Sequence, residues 1–204
     1  MRTWVGVDVG ARRKGFHLAV LRADGRIALL RANGPDAVAT AVDRIVAAAP
    51  GRVAIDAPAA WAPDGMRARP DEVAFRAAGV CGIRFTPDAA TAARRTDTYY
   101  GWIEHGLALW AALRAHDLEV VECFPTASWT RWLGPRAGRT RATWTGAGID
   151  ALYGPTAGSG VLHGDRPRNQ DDRDAVAAAL TARRADGDVT RFGPLVVPPA
   201  GPAW

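Results

Sequence analysis

Cysteine is scarce in this chain, with only Cys81 and Cys123 among 204 residues. Two are too few for a disulfide framework, and both read as buried free thiols. No His/Cys pairs stand at zinc-ligand spacing, so a zinc site is excluded as well. A run of about 18 apolar residues is missing, and with it any helix able to cross a membrane. The opening MRTWVGVDVG lacks the charged-then-apolar layout of a secretory signal. The expectation is therefore a soluble, cytoplasmic protein with no membrane partner. Lysine is almost absent, since Lys14 is the only one among 26 basic residues. The net charge of +5 and a pI near 10 suit a polyanionic partner. A chain rich in arginine and alanine throughout gives the same surplus, so charge alone does not decide for nucleic acid. There is no internal repeat.

What remains describes one domain. With 48% apolar residues the chain is not globally disordered, and its length allows a real core. TWVGVDV (3–9) reads as a central buried strand. Residues 15–33 give two apolar runs around Asp24-Gly25, a hairpin signal. Pro35 opens a helix marked by Val38, Val42, Ile45 and Val46, and Pro50-Gly51 closes it. RVAIDAP (52–58) is a short strand ended by Pro58. Beyond it the patterning predicts a helix near 70–79, a short strand at 82–86, a long helix near 98–116, a strand at 118–125 and a last helix over about 171–185. Residues 134–168, rich in Gly, Pro and Arg, read as an irregular insertion. Its arginines, with Arg131, Trp132 and Trp144, suit a phosphate-and-stacking surface, or equally a solvated loop. The tail over about 186–204 reads as an extended segment that docks or frays.

The acids sit at telling places. Asp8 lies in the first strand, while Asp56 and Glu122 end later ones. Asp171, Asp172 and Asp174 open the last helix. Capping alone explains acids at a helix start, each such interaction being worth about 0.3–1 kcal/mol. Either Asn169 or Asp171 can be the cap, and Asp172 looks like a capping residue. At about 100° per residue, however, Asp171 and Asp174 share a face with Ala178 and Ala182, small enough for close approach to a sheet. Sites in parallel sheets form at the carboxyl ends of strands, where these acids would converge. Two carboxylates about 4 Å apart repel by roughly 1 kcal/mol in water and about 4 kcal/mol at a protein-like dielectric. Either the acids are apart or a cation holds them, and all-oxygen donors select Mg²⁺ or Mn²⁺.

The pieces GVDVGARRKGF (6–16), AIDAP (54–58), VECFP (121–125) and DAVAAALTA (174–182), with GMRARPDEVAFRAAG (65–79), resemble the domain of unknown function 429 family of predicted nucleases. The strand–hairpin–helix–strand unit with its leading Asp resembles the ribonuclease H-like fold. Its D-x-x-D-A-x-A ending is similar to that of Holliday-junction resolvases. The resemblance implies an α/β fold with a mixed five-stranded sheet and helices on both faces. It also implies a nuclease that cuts DNA or RNA with two Mg²⁺ or Mn²⁺ ions, and a possible homodimer. Asp8 would bridge both ions, Asp56 would be the second ligand, and Asp174 with Asp171 would complete the set. Glu122 matches a family motif with a less defined part in the metal shell.

Several residues carry two readings. Lys14, Arg69, Arg76, Arg136, Arg139 and Arg141 can contact phosphate, or simply be surface charge. His163 can shuttle protons from the irregular loop. His105, beside Glu104, fits a core-edge histidine better than a general base. Two other functions stay open. One is an actin- or sugar-kinase-like phosphotransferase, suggested by Asp8-Val9-Gly10. The other is a non-catalytic nucleic-acid-binding module of the same fold.

Overall fold

The computed structural model describes residues 2–95, 99–154 and 160–201. Strand β1 (Thr3–Val9) is its centre, antiparallel to β2 (Phe16–Arg22) and parallel to β4 (Arg52–Asp56). Apolar residues on both faces of β1 are required because helices cover both. β2 turns at Asp24-Gly25 into β3 (Arg26–Ala32), with Gly25 at φ +89° and the Asp24 carboxylate accepting from the Arg26 N–H. Helix α1 (Ala37–Ala47) leads to β4, and later β5 (Val120–Cys123) lies parallel beside β4. Strands β3-β2-β1-β4-β5 are the expected five-stranded mixed sheet.

Three short strands extend that sheet to eight. β6 (His163–Gly164) pairs with β3, and β8 (Leu195–Val197) pairs with β5 and with β7 (Thr190–Phe192). The tail therefore does not fray over this stretch. An open edge on β5 would expose unpaired backbone groups, and the buried run Leu195–Val197 covers it. The segment 134–168 is not irregular throughout either. Helix α6 (Arg141–Tyr153) occupies its middle, capped by Thr140, with Trp144, Ile149, Leu152 and Tyr153 buried. Gly148, which weakens the helical pattern, is a packing choice. A Cβ there would come within 2.7 Å of the Trp129 ring. Residues 155–159 of that segment lie outside the described residues. The strand expected at 82–86 is an extended connection without partners in the sheet.

The remaining helices are α2 (Pro70–Ala77), α3 (Ala89–Ala93), α4 (Gly101–Leu113), α5 (Pro125–Leu133) and α7 (Gln170–Arg184). Alternation along the central strands gives the core two faces, and a third cluster joins Phe75 and Ala127 to Leu195 and Val197. Val5, Val7, Val9, Val53 and Ile55 pack with α1 and α4. Trp4, Ala54, Val121 and Cys123 pack with α7, α5 and α6. α7 is polar at both ends and alanine-rich between, so every residue from Asp174 to Ala182 is buried. It touches the sheet without side chains intervening: a Cβ on Gly6 would lie 2.1 Å from the Ala179 nitrogen and 2.2 Å from the Ala175 oxygen. Gly6→Ala forces helix and strand apart. It is expected to cost about 3 kcal/mol, read as a lowered midpoint in denaturant unfolding; an unchanged midpoint would show that the contact is not this close.

Candidate active site

Asp8 and Asp56 are register partners in adjacent parallel strands, so their backbones lie about 4.8 Å apart. Both follow residues that face α7, Gly6 and Ala54, by two positions, so alternation turns both carboxylates toward that helix. Asp174 sits one turn before Ala178, whose backbone rests on Gly6. The close approach that Gly6 permits thus sets Asp174 against the ends of β1 and β4. Asn169 caps the helix by accepting from the Asp172 N–H at 2.8 Å. Asp171, half-buried, lies beside the cluster with Lys14 Nζ 3.1 Å from Oδ2.

The acids raise one another's pKa. Asp8 is pushed well above the ordinary carboxylate range, by burial first and then by the charges of Asp56, Asp174 and Asp171, with Arg141 opposing. Asp56 is raised by burial and by Asp174, with Arg141 opposing and Glu122 adding to it. Burial raises Asp174 too, against Arg141, Gln170 and Trp129. Arg141 Nη2 donates to Asp174 Oδ2 at 2.8 Å, while Gln170 Nε2 and Trp129 Nε1 donate to Oδ1 at 3.0 and 3.3 Å. Arg141 is therefore the guanidinium at this cluster.

Glu122 stands apart from the inner set. It is aligned with Ile55, on the opposite parity from Asp56. Its Oε2 accepts from the Ala59 N–H at 2.9 Å and from Arg69 Nη2 at 2.8 Å. Burial raises its pKa to about 7 despite Arg69. Arg69 is itself buried between Glu122 and Asp71, so it anchors the Glu122 side of the site and does not face solvent. Arg76 donates to the Ile83 carbonyl and lies 3.8 Å over the Phe85 ring. Arg136 and Arg139 are exposed, with Arg139 folded back on the carbonyls of Arg136 and Pro135. Trp132 and Trp144 are core residues and offer no stacking surface.

His163 does not reach the acids. It pairs with Arg26 at the start of β3, at the end of the sheet opposite Asp8. His105 holds the Gly10 carbonyl at 2.9 Å and packs on Phe16, a core-edge role. One residue was missed by sequence reasoning. His17 is the cross-strand partner of Asp8, and its ring bridges two of the helix acids. Nδ1 is 2.7 Å from Asp172 Oδ1, and Nε2 is 3.7 Å from Asp171 Oδ2. Asp172 is thus a partner of His17 and of the Arg168 N–H, not a cap. Burial would raise its pKa, but these bonds and the charges of His17 and Arg31 hold it lower. The signal was a lone histidine in FHLAVLR, on the face otherwise given to Ala19 and Leu21.

The mixed sheet with helices on both faces is a ribonuclease H-like fold. RuvC of Thermus thermophilus matches at a TM-score of 0.51 with 16% identity, over 90% of this chain and 95% of that one. RuvC of T. thermophilus in complex with a Holliday junction substrate aligns at 0.47 and 15% identity, over 88% and 91%. No curated protein sequence matches. The chain belongs to the family described as "Protein of unknown function (DUF429)", which matches residues 6–195.

A carboxyl whose folded pKa is raised favours folding fully below its unfolded value, near 4. That contribution is lost as pH rises through the folded value. Asp8→Asn is therefore expected to raise the Tm in chelator by a few degrees at pH 8, about 2–4 °C per kcal/mol, and to leave it unchanged near pH 4. Thermal scans at the two pH values check this. A lower Tm at pH 8 would mean that Asp8 is not held at electrostatic cost.

Proposed function

We propose that the chain is a divalent-metal-dependent nuclease that hydrolyses phosphodiesters of DNA or RNA at Asp8, Asp56, Asp171 and Asp174. The observation that carries the reading is the convergence of Asp8 and Asp56, register partners at two strand ends, with Asp174 at the start of α7. Their hard oxygen donors fit Mg²⁺ or Mn²⁺. Among the described residues no group of three or more His, Cys, Asp or Glu side chains is gathered closely enough to hold a metal ion; the cationic partner of Asp174 is Arg141. Asp8, Asp56, Asp174 and Asp171 are the residues that would hold the ions. Bound there, two ions would supply an activated water and stabilise the leaving oxygen.

The chain's own residues would do the rest. Lys14 and Arg141 flank the acids with exposed cations, placed to orient non-bridging phosphate oxygens once a metal satisfies the carboxylates. Asp172 fixes the His17 ring, which in turn keeps Asp171 at the cluster. Arg136 and Arg139 add positive charge on the same insertion as Arg141 and suit the nucleic-acid backbone.

Labelled single strands, duplexes, RNA–DNA hybrids and four-way junctions with Mn²⁺, Mg²⁺ or chelator test the reading. Metal-dependent cutting is expected on at least one, reduced about 100-fold or more in Asp8→Asn and Asp174→Asn, since even outer-shell partners of a metal typically contribute 10–100-fold. Equal cutting by the variants would trace the activity to a contaminant. No cutting and no metal-induced rise in Tm would leave a non-catalytic binding module. Arg141→Ala separates the electrostatics from the chemistry. It should lower the Tm in chelator, because Asp174 loses its counter-charge, and enlarge the rise produced by Mn²⁺. A metal response no larger than wild type would remove Arg141 as the cation's stand-in.

A further inference from the structure

The acid cluster opens sideways into a cavity of about 600 Å³, a volume typical of sites for small organic groups. Asp56 and Arg141 belong to both the cluster and the cavity wall. Beyond them the lining changes character. Trp102 of α4, Phe124 at the start of α5 and Ile83 of the connection after α2 are all half-buried there, with apolar surface facing the space. Thr86 contributes a hydroxyl whose proton is already given to Glu72, so its oxygen presents lone pairs only. The chamber thus sets apolar and aromatic walls beside acceptors at Thr86, Glu72 and Glu122, with Arg84 as a further cation, and carboxylates in the wall do not suit a sugar-phosphate backbone. The chamber suits a flat heteroaromatic ring bearing N–H groups.

We propose that this cavity receives an unstacked nucleobase of the strand being cut. The preferred substrate would then present unpaired nucleotides at the scissile position. The inference rests on the nuclease reading, because a phosphodiester held at Asp56 is what brings a base to the cavity mouth. Aromatic rings take any base by its face, and an enzyme that needs a base out of the stack discriminates against a stable duplex, where unpairing is costly. Trp102 is the stacking residue. Phe124 also supports the fold through its edge-to-face contact with Phe75.

The test is equilibrium binding in chelator, by fluorescence anisotropy, of a labelled single strand and of an abasic strand with the same number of phosphates. Wild type should bind the base-bearing strand about tenfold more tightly or better, the size of one stacking contact. Trp102→Ala should lose most of that preference and leave the abasic strand unaffected. Trp102→Phe, which keeps an aromatic face, should retain it. Equal affinity of wild type for the two strands, binding of neither, or an unchanged Trp102→Ala overturns the proposal. Competition by free nucleoside monophosphate at the concentration of the strand would overturn the strand as the source of the base. Cleavage with Mn²⁺ run in parallel keeps the two readings apart. Base preference without cutting removes the nuclease alone, and cutting without base preference removes the cavity alone.

Discussion

Backbone-to-backbone contact between α7 and β1 at Gly6 is the constraint on which the rest depends. No side chain larger than hydrogen fits there, so helix and strand meet closer than side-chain packing normally allows. Several features follow. The inward faces of α7 must be alanine, as at 175, 178, 179 and 182. Its other faces must also be buried, and α5 and α6 supply the second layer through Trp129 and Trp144. The first turn of the helix is carried onto the ends of β1 and β4, which places Asp174 among like charges that it would avoid on an isolated helix.

That placement separates two kinds of acid in the molecule. Glu119 and Asp186 clamp Arg52 at the far end of the sheet, and Glu122 with Asp71 clamps Arg69. Each of these has an opposite charge within hydrogen-bond reach, the arrangement of a structural ion pair. Asp8 and Asp56 differ: the charges acting on them are mostly other carboxylates. A structure holds like charges together at such cost where function uses them. Arg141 offsets part of that repulsion and Lys14 pairs with Asp171, both from positions open to solvent, so they can yield to another cation more readily than a buried arginine such as Arg69.

Much of this was legible from the residues. The strand–hairpin–helix–strand opening follows from strong periodicity and Asp24-Gly25, and the last helix from its cap and alanine pattern. Asp8, Asp56, Asp171 and Asp174 could be singled out because each sits at a strand or helix position that the pattern fixes. What stayed hidden depended on register and tertiary packing. The parity that turns Glu122 away from Asp56 is set by the β4–β5 pairing, which local sequence does not encode. α6 is buried along one face, but that stripe contains Thr145 and Gly148 while the exposed face carries Ala142, Ala147 and Ala151, which mutes its periodicity, and Gly148 is there for the Trp129 ring. Trp132 and Trp144 looked like a stacking surface because their neighbours in sequence are arginines, yet their indoles fill the layer over α7. His17 was passed over since its importance lies in a cross-strand neighbour, Asp8, and in a helix more than 150 residues later.

The same geometry weighs the phosphotransferase alternative. A D-x-G loop that cradles phosphate needs free backbone N–H groups pointing into it. Here the Gly10 N–H donates to the Gly15 carbonyl at 2.9 Å, and Lys14 and Gly15 donate back to the Ala11 carbonyl at 2.8 and 3.0 Å. The Gly10 carbonyl is held by His105, and a Cβ on Gly10 would lie 2.5 Å from the Lys14 Cβ. The glycine therefore serves the tightness of the turn. That turn brings Lys14 back over Asp171 and uses the Gly10, Lys14 and Gly15 N–H groups within itself. Asp8 is left facing carboxylates and not a phosphate cradle, and it is this placement on which the proposed cation site rests.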